Sequence, residues 1–352
     1  MKKLFASLVA LSLLLVGCSS SDDSDSSSEG YEVALITDSG SVTDKSFNQS
    51  AYEAIEEYCG DTISYKYYAP QDTDDDGLYA TIEQAIDNGA KIIVTPGYNF
   101  TTAVTQAEAD FPDVTFVAID QTDLEPTENT ISYIFAENES GYLVGYAAVK
   151  EGYTKLGFMG GMAGDSVVNY GVGFLQGAND AAAELGVDVI VNYYYTGTYS
   201  ADPSIKTACD NWFVNDGVEI VFSCGGQICS NVFASAEENG GMSIGVDVDQ
   251  GDESTTVLTS ALKGVSAAVT EALDAFYNDT FEGGQVVTLT GSGDMVYSAD
   301  KFTNFTQEDY EAILAKIQNS EIDLYSYDDV TENSSDPSTY IDLSNVTVKY
   351  QS

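Results

Sequence analysis

The sequence predicts an α/β protein built as two doubly wound parallel-sheet lobes. Three observations carry this. Short apolar, β-branched runs alternate with longer amphipathic stretches, the pattern of parallel strands covered by helices on both faces. The alternation runs through residues 31–135 and then restarts, which calls for two similar lobes. Of the 352 residues, roughly 320 follow the polar N-terminal segment, enough for two lobes of ordinary size.

In chain order, Tyr31–Asp38 (YEVALITD) is a strand and Ser46–Tyr58 has helical spacing, with Phe47, Ala51, Ala54, Ile55 and Tyr58 toward one side. Ile63–Tyr68 is a strand. Leu78–Asn88 is a helix stopped by Gly89. Lys91–Pro96 is a strand, Thr101–Asp110 a helix, and Thr115–Asp120 and Thr130–Phe135 are strands. The second run opens with a helix at Asn138–Glu151, where Gly141 and Gly145 suggest close packing. Strand Lys155–Gly160, helix Asn169–Leu185, strand Val187–Tyr195 and helix Asp202–Asn215 follow. Then come strand Glu219–Ser223, helix Ser230–Asn239, strand Ser243–Asp247 and a long helix, Ala261–Tyr277. The late helix and the last strands are expected to cross back between the lobes.

The N-terminus has the layout of a bacterial export signal. Met1-Lys2-Lys3 is basic, Leu4–Val16 is apolar, and Leu15-Val16-Gly17-Cys18 follows at once. The apolar run falls short of the roughly 20 residues a spanning helix needs. The Leu-Val-Gly-Cys sequence resembles a lipobox, so residues 1–18 are expected to be a lipoprotein signal peptide with Cys18 acylated. Acyl burial contributes roughly 0.8 kcal/mol per CH₂ to membrane anchoring. Residues 19–30 hold no apolar side chain and are expected to form a disordered Ser/Asp tether.

Composition excludes several functions. A net charge of −45 opposes nucleic-acid phosphates. There is no histidine, which removes Ser–His and Cys–His nucleophile pairs and the commonest transition-metal ligand. No enzyme activity, cofactor or resident metal is expected. Beyond Cys18 stand Cys59, Cys209, Cys224 and Cys229; four cysteines allow three pairings, and spacing does not choose among them. Asp72-Thr73-Asp74-Asp75-Asp76-Gly77 with Glu83 matches a calcium-loop pattern. A strand precedes it where an EF-hand needs a helix, so these acidic residues are expected at a helix start instead.

In open α/β sheets ligands bind beyond the carboxyl ends of the strands. The polar residues there are Asp38 to Gly40, Thr95 to Gly97, Asp120 and Gln121, Gly160 and Gly161, Gly225 to Gln227, and Asp247 with Asp249.

Several of these segments together resemble one family. ITDSGSVTDKSFNQSAYEAI, IIVTPGYNF, FVAID, the stretch 138–149, LGFMGGMAGDSVVNYGVGFLQGA, IGVDVDQ and LTSALKGVSAAV are similar, in order, to motifs of the basic membrane protein family. These are bacterial lipoproteins that serve as purine-nucleoside receptors of ABC importers. The resemblance implies a type I periplasmic-binding-protein fold, with the lobes joined by a hinge of three crossovers. It implies lobe one at 31–135 plus 260–292 and lobe two at 136–259 plus 293–352. It implies an extracytoplasmic, membrane-anchored solute receptor working with ABC permease subunits. The other reading of the same fold is a sensing lipoprotein that binds a sugar or other small polar solute and signals to a membrane partner.

Carried over residue by residue, the resemblance puts Asn48 and Asp120 on the base, Asp247 and Lys263 on the ribose, and Tyr199 as a stacking aromatic. Asp38, Gly97 and Gly225 complete the expected ligand-binding set. An amide both donates and accepts, and a carboxylate can take two N–H groups. The same residues have structural uses: Asn48 as a helix cap, Asp120 and Asp247 as strand-ending turn residues, Lys263 as a solvated helix residue. Two departures stand out. Val42 occupies a place where the family carries an aromatic, with Tyr98 or Phe100 as substitutes. CGGQIC (224–229) replaces the family's Gly-Thr-Gly-type loop.

Overall fold

The structure, a computed structural model, describes residues 30–38, 40–291, 293–331 and 335–351. The expected export signal, Cys18 and all of the expected tether but Gly30 lie outside the described residues.

The first lobe is built from β1 (Val33–Ile36), α1 (Phe47–Cys59), β2 (Tyr65–Tyr68), α2 (Asp75–Asp87), β3 (Ile92–Pro96), α3 (Thr101–Asp110), β4 (Thr115–Ile119) and β5 (Thr130–Phe135). The chain then crosses over into α4 (Glu137–Glu151), β6 (Lys155–Gly160), α5 (Asp165–Leu185), β7 (Val189–Tyr195), α6 (Pro203–Asn211), β8 (Ile220–Cys224), α7 (Ile228–Asn239), β9 (Met242–Asp247) and β10 (Val257–Leu262). It returns with α8 (Val265–Tyr277) and β11 (Gln285–Leu289). It crosses a third time into β12 (Asp294–Met295), α9 (Gln307–Gln318), α10 (Tyr327–Val330) and β13 (Val346–Gln351).

Strand order is β11-β5-β4-β3-β1-β2 in one sheet and β12-β10-β9-β8-β6-β7-β13 in the other. Every pairing is parallel except β10 with β12. Both sheets reverse direction of winding at one place, between β1 and β3 and between β6 and β8. These are the switch points where a crevice opens beyond the strand ends.

Each sheet is covered on both faces. In the first lobe, Ala51, Ala54 and Ile55 of α1 and Val265, Ala268 and Leu273 of α8 pack on one face. Leu78 and Ile82 of α2 and Ala103 and Val104 of α3 cover the other. In the second lobe α4 and α5 share a large core with β6 to β10, and α6 and α7 enclose a smaller one around Trp212.

Two glycine pairs explain the tightest packing of the second lobe. A Cβ on Gly141 would lie 2.2 Å from the Tyr170 carbonyl oxygen, and one on Gly145 2.2 Å from that of Phe174. Gly173 and Gly177 face α4 as closely, at 2.2 Å and 2.0 Å from the carbonyls of Asn138 and Tyr142. The backbones of α4 and α5 therefore touch, which brings their N-terminal halves to one place.

Three sequence expectations need correction: the helix 261–277, the helix 202–215 and the role of Phe100. Ala261–Tyr277 is not one helix: Val257–Leu262 is buried along nearly its whole length and pairs with β9, and α8 begins at Val265. Sheet pairing outweighs the helical propensity of Ser-Ala-Leu, so Ser260–Leu262 belong to the second sheet, not to the first lobe. Helix Asp202–Asn215 ends at Asn211 and continues as a widened π turn, Trp212–Asp216. The acidic segment stands at a helix start, as its context implied: Asp74 caps α2 by accepting from the Gly77 N–H at 2.9 Å, and Asp75 and Asp76 form its first turn. Phe100 is buried in the first-lobe core and does not reach the crevice. Cys59, Cys209, Cys224 and Cys229 are all free and buried. Burial pushes the Cys59 and Cys229 thiols up to about 11, so they behave as small apolar residues and not as nucleophiles.

Candidate functional site

A cavity of about 800 Å³ lies between the strand ends of the two sheets, within the usual range for small-molecule sites. All eight singled-out positions, Asp38, Asn48, Gly97, Asp120, Tyr199, Gly225, Asp247 and Lys263, line it.

Asp120 follows β4 and Asp247 is the last residue of β9, each with a left-handed backbone, φ 62° and 68°. Aspartate tolerates this conformation better than most residues, and such strain concentrates at functional sites. The turn directs both carboxylates into the cavity. Asp120 lies after β4 in lobe one and Asp247 ends β9 in lobe two, so the pair faces across the cleft.

Lys263 stands in the second crossover, between β10 and α8, with 2 % of its side chain exposed. Its ammonium lies 2.5 Å from Asp120 Oδ2, 2.8 Å from Glu137 Oε1 and 2.7 Å from Ser166 Oγ. An ammonium has three protons, so these three contacts satisfy it. The rings of Phe47 and Phe135 flank it at 5.1 Å and 5.2 Å. Burial opposes its charge, but Asp120, Glu137 and Asp247 outweigh that and hold it above its ordinary value. Burial pushes Asp120 up to about 7 against the pull of Lys263. Burial likewise raises Asp247 and Asp38.

The Asn48 amide is engaged within the protein. It donates to Asp38 Oδ1 and to Asp44 Oδ2, both at 3.0 Å. Its oxygen accepts from the Asp38 N–H at 3.4 Å. Asp44 takes the capping role at α1, accepting from the Ser46, Asn48 and Gln49 N–H groups at 2.8, 3.0 and 3.1 Å. Asn48 thus orients Asp38, whose Oδ1 also accepts from Gly40 N at 2.6 Å.

The glycines admit neighbours. A Cβ on Gly97, at φ 131°, would crowd Asp38. Gly225, at φ 156°, passes against the backbone of Gly161, and Gly161 in turn lies under the Tyr199 ring. Cys224, Gly225, Gly226 and Gln227 of the CGGQIC segment all line the cavity.

Sequence reading missed Glu137, Ser166, Asn169 and Phe47. Glu137 is 3 % exposed and accepts from Asn169 Nδ2 at 3.0 Å. Glu137, Ser166 and Phe47 sit in the first turns of helices and Asn169 in a second turn, not after strands, so the strand-end criterion passed over them. An acidic residue directly before the 138–149 motif was the available signal for Glu137. Phe47 and Tyr98 supply aromatic surface to the cavity, while Val42 packs against the first-lobe core.

The described residues contain no cluster of three or more His, Cys, Asp or Glu side chains arranged for a metal. No helix among them is long and apolar enough to cross a membrane.

Comparison with known proteins agrees with this architecture. Residues 31–328 match the model of the family described as ABC transporter substrate-binding protein PnrA-like. The nucleoside-binding protein BmpA of an ABC transporter from Lactococcus lactis is 31 % identical over 82 % of this chain and 89 % of its own. Basic membrane protein B of Borrelia garinii is 28 % identical over 89 % of this chain and 92 % of its own. Among solved structures, an ABC transporter solute-binding protein from Aeropyrum pernix superposes with a TM-score of 0.76 at 21 % identity. It covers 87 % of this chain and 98 % of its own.

Proposed function

We take as premise that the chain belongs to the PnrA-like family of ABC transporter substrate-binding proteins, which are solute binders and not enzymes. From it we propose that the protein captures a nucleoside, a purine nucleoside by preference, outside the cytoplasm and delivers it to the permease subunits of an importer. We further propose that Cys18 carries the lipid that keeps it at the membrane.

The observation that carries the nucleoside reading is the balance of groups in the cavity. Asp38, Asp120 and Asp247 offer acceptors from both lobes, and the cation Lys263 already stands among carboxylates. Such a site favours a ligand without negative charge that is rich in O–H and N–H donors. Phe47, Tyr98 and Tyr199 add faces against which a planar base stacks, a contact of about 1–3 kcal/mol per base in nucleic-acid binders. The likeness to a nucleoside-binding relative supports the same reading.

The test is titration calorimetry on the chain from Ser19 onward with inosine, adenosine, guanosine, uridine, ribose and glucose. Saturable heat with the purine nucleosides is expected, weaker with uridine. Asp247→Ala should lose roughly 2 kcal/mol, the cost of deleting a charged hydrogen-bond partner. Heat from a sugar and from no nucleoside would sink the assignment.

A further inference from the structure

We propose that Ser46, which lies outside the cavity lining, is a positioning residue that lobe one supplies to Asp247 when the cleft is closed. The proposal rests on the reading of Asp247 as a ligand acceptor and adds to it a residue acting through that carboxylate.

Ser46 immediately precedes α1 and is fully buried. Its N–H is held by Asp44 at 2.8 Å, and its hydroxyl donates to Asp247 Oδ2 in the other lobe. Tyr170 of α5 donates to the other oxygen, Oδ1, at 3.4 Å. One hydroxyl on each oxygen fixes the rotation of the carboxylate. Each oxygen retains a lone pair for a ligand hydroxyl.

The two supports differ in origin. Tyr170 belongs to the same lobe as Asp247 and stays with it. Ser46 belongs to the opposite lobe and leaves when the cleft opens. A carboxylate held by both is therefore a property of the closed form alone.

A second contact beside it points the same way. Lys45 adopts a left-handed backbone, φ 59°, and its carbonyl accepts from Gln250 Nε2 of lobe two at 2.8 Å. Gln250 is 1 % exposed. It is fixed at its other end by the Val246 N–H, 2.9 Å from its Oε1, and its own N–H donates to Ser260 Oγ at 3.0 Å. Lys45–Ser46 thus meets a preformed receptor on β9 and the turn after it. The outer pair, Lys45 with Glu253 at 3.5 Å, is exposed and contributes little.

Interactions present only in the closed, bound form slow release more than they speed capture. Stopped-flow measurement of inosine association and dissociation tests this. Ser46→Ala should release inosine about tenfold faster, the scale of one hydrogen bond to a charged acceptor, with association unchanged. In an Asp247→Asn background the same change should add almost nothing, because its effect runs through that carboxylate. Gln250→Glu keeps the acceptor for Val246 and replaces the donor to Lys45, so it should also speed release while leaving Ser46 and Asp247 intact. Glu253→Gln should match the wild type. Wild-type inosine binding with Ser46→Ala releasing at the wild-type rate overturns the role of Ser46 alone. An equal loss in the Asp247→Asn background does the same. Absence of heat from every nucleoside overturns the nucleoside reading and this proposal with it.

Discussion

Asp120 shows how far one buried carboxyl shapes the behaviour of the cleft. An ordinary aspartate titrates near pH 4, and burial moves this one up to about 7. Between those values the folded chain binds more protons at this site than the unfolded chain does. Unfolding free energy therefore falls as pH rises through the window. Asp38 and Asp247, raised by the same cause, act with the same sign. The elevation of Lys263 matters only above the usual lysine range. Carboxyls held low, such as Glu184 and Asp210, lose their stabilising effect only below about pH 4.5. The ligand-free protein should thus melt at higher temperature at pH 5 than at pH 7.5, and Asp120→Asn should reduce that slope. Coincident slopes by scanning calorimetry would show that Asp120 does not titrate there. At this scale much was legible from sequence. Asp38, Asp120, Gly225 and Asp247 lie at or just beyond strand ends, where backbone topology alone delivers side chains to a crevice. Glu137 and Asn169 were not legible in this way, because they arrive on helices whose approach depends on tertiary packing.

That packing is the work of the α4–α5 crossing, the element on which the lower half of the site depends. Gly141 and Gly145 announced a close approach in the sequence, but the partner glycines, 173 and 177, became meaningful only when the two helices were placed together. Alanine in a helix interior is favoured over glycine by roughly 1 kcal/mol. At Gly145 the opposing term is larger: a Cβ would stand 2.2 Å from the Phe174 carbonyl oxygen, and backbone cannot swing aside as a side chain does. Overpacking costs about 1–3 kcal/mol. Gly145→Ala should therefore destabilise the fold by about 1–2 kcal/mol in urea denaturation, despite its better propensity. A stabilised variant would mean that the helices cross farther apart. The plainest departure from the sequence expectation lies in the second crossover. Ala261–Tyr277 reads as one helix because its residues are small and helix-compatible. In the fold, Val257–Leu262 is a strand between β9 and β12, and the break falls at Lys263–Gly264, which places the ammonium in the hinge itself.

Across the whole molecule, apolar packing and lobe contact are separate matters. Among the described residues, each of the four buried clusters belongs to one sheet and its helices, and none spans the cleft. The covalent link is the three crossovers, tied together at the start of α4. There Glu139 accepts from Gly291 and Gly293 N–H at 2.8 and 2.9 Å. Ser140 donates to the Leu262 carbonyl at 2.7 Å and accepts from the Asp294 N–H at 3.0 Å. Across the open side the contacts are polar, such as Ser46 with Asp247 and Thr122 with Asp165 at 2.9 Å. Polar contacts of this kind contribute about 1 kcal/mol each, small beside a lobe core. Two cores so weakly coupled should not melt as one unit, since multidomain chains depart from two-state behaviour. A ligand held by Asp38 and Asp120 on one side and Asp247 on the other adds coupling that vanishes when either lobe unfolds. At 100 times its dissociation constant it stabilises the closed pair by about 2.7 kcal/mol. Scanning calorimetry of the ligand-free chain should give a van't Hoff enthalpy well below the calorimetric one. Saturating inosine should raise the melting temperature and bring the two enthalpies together. Equal enthalpies without ligand would show that the crossovers and polar contacts already make the lobes a single cooperative unit.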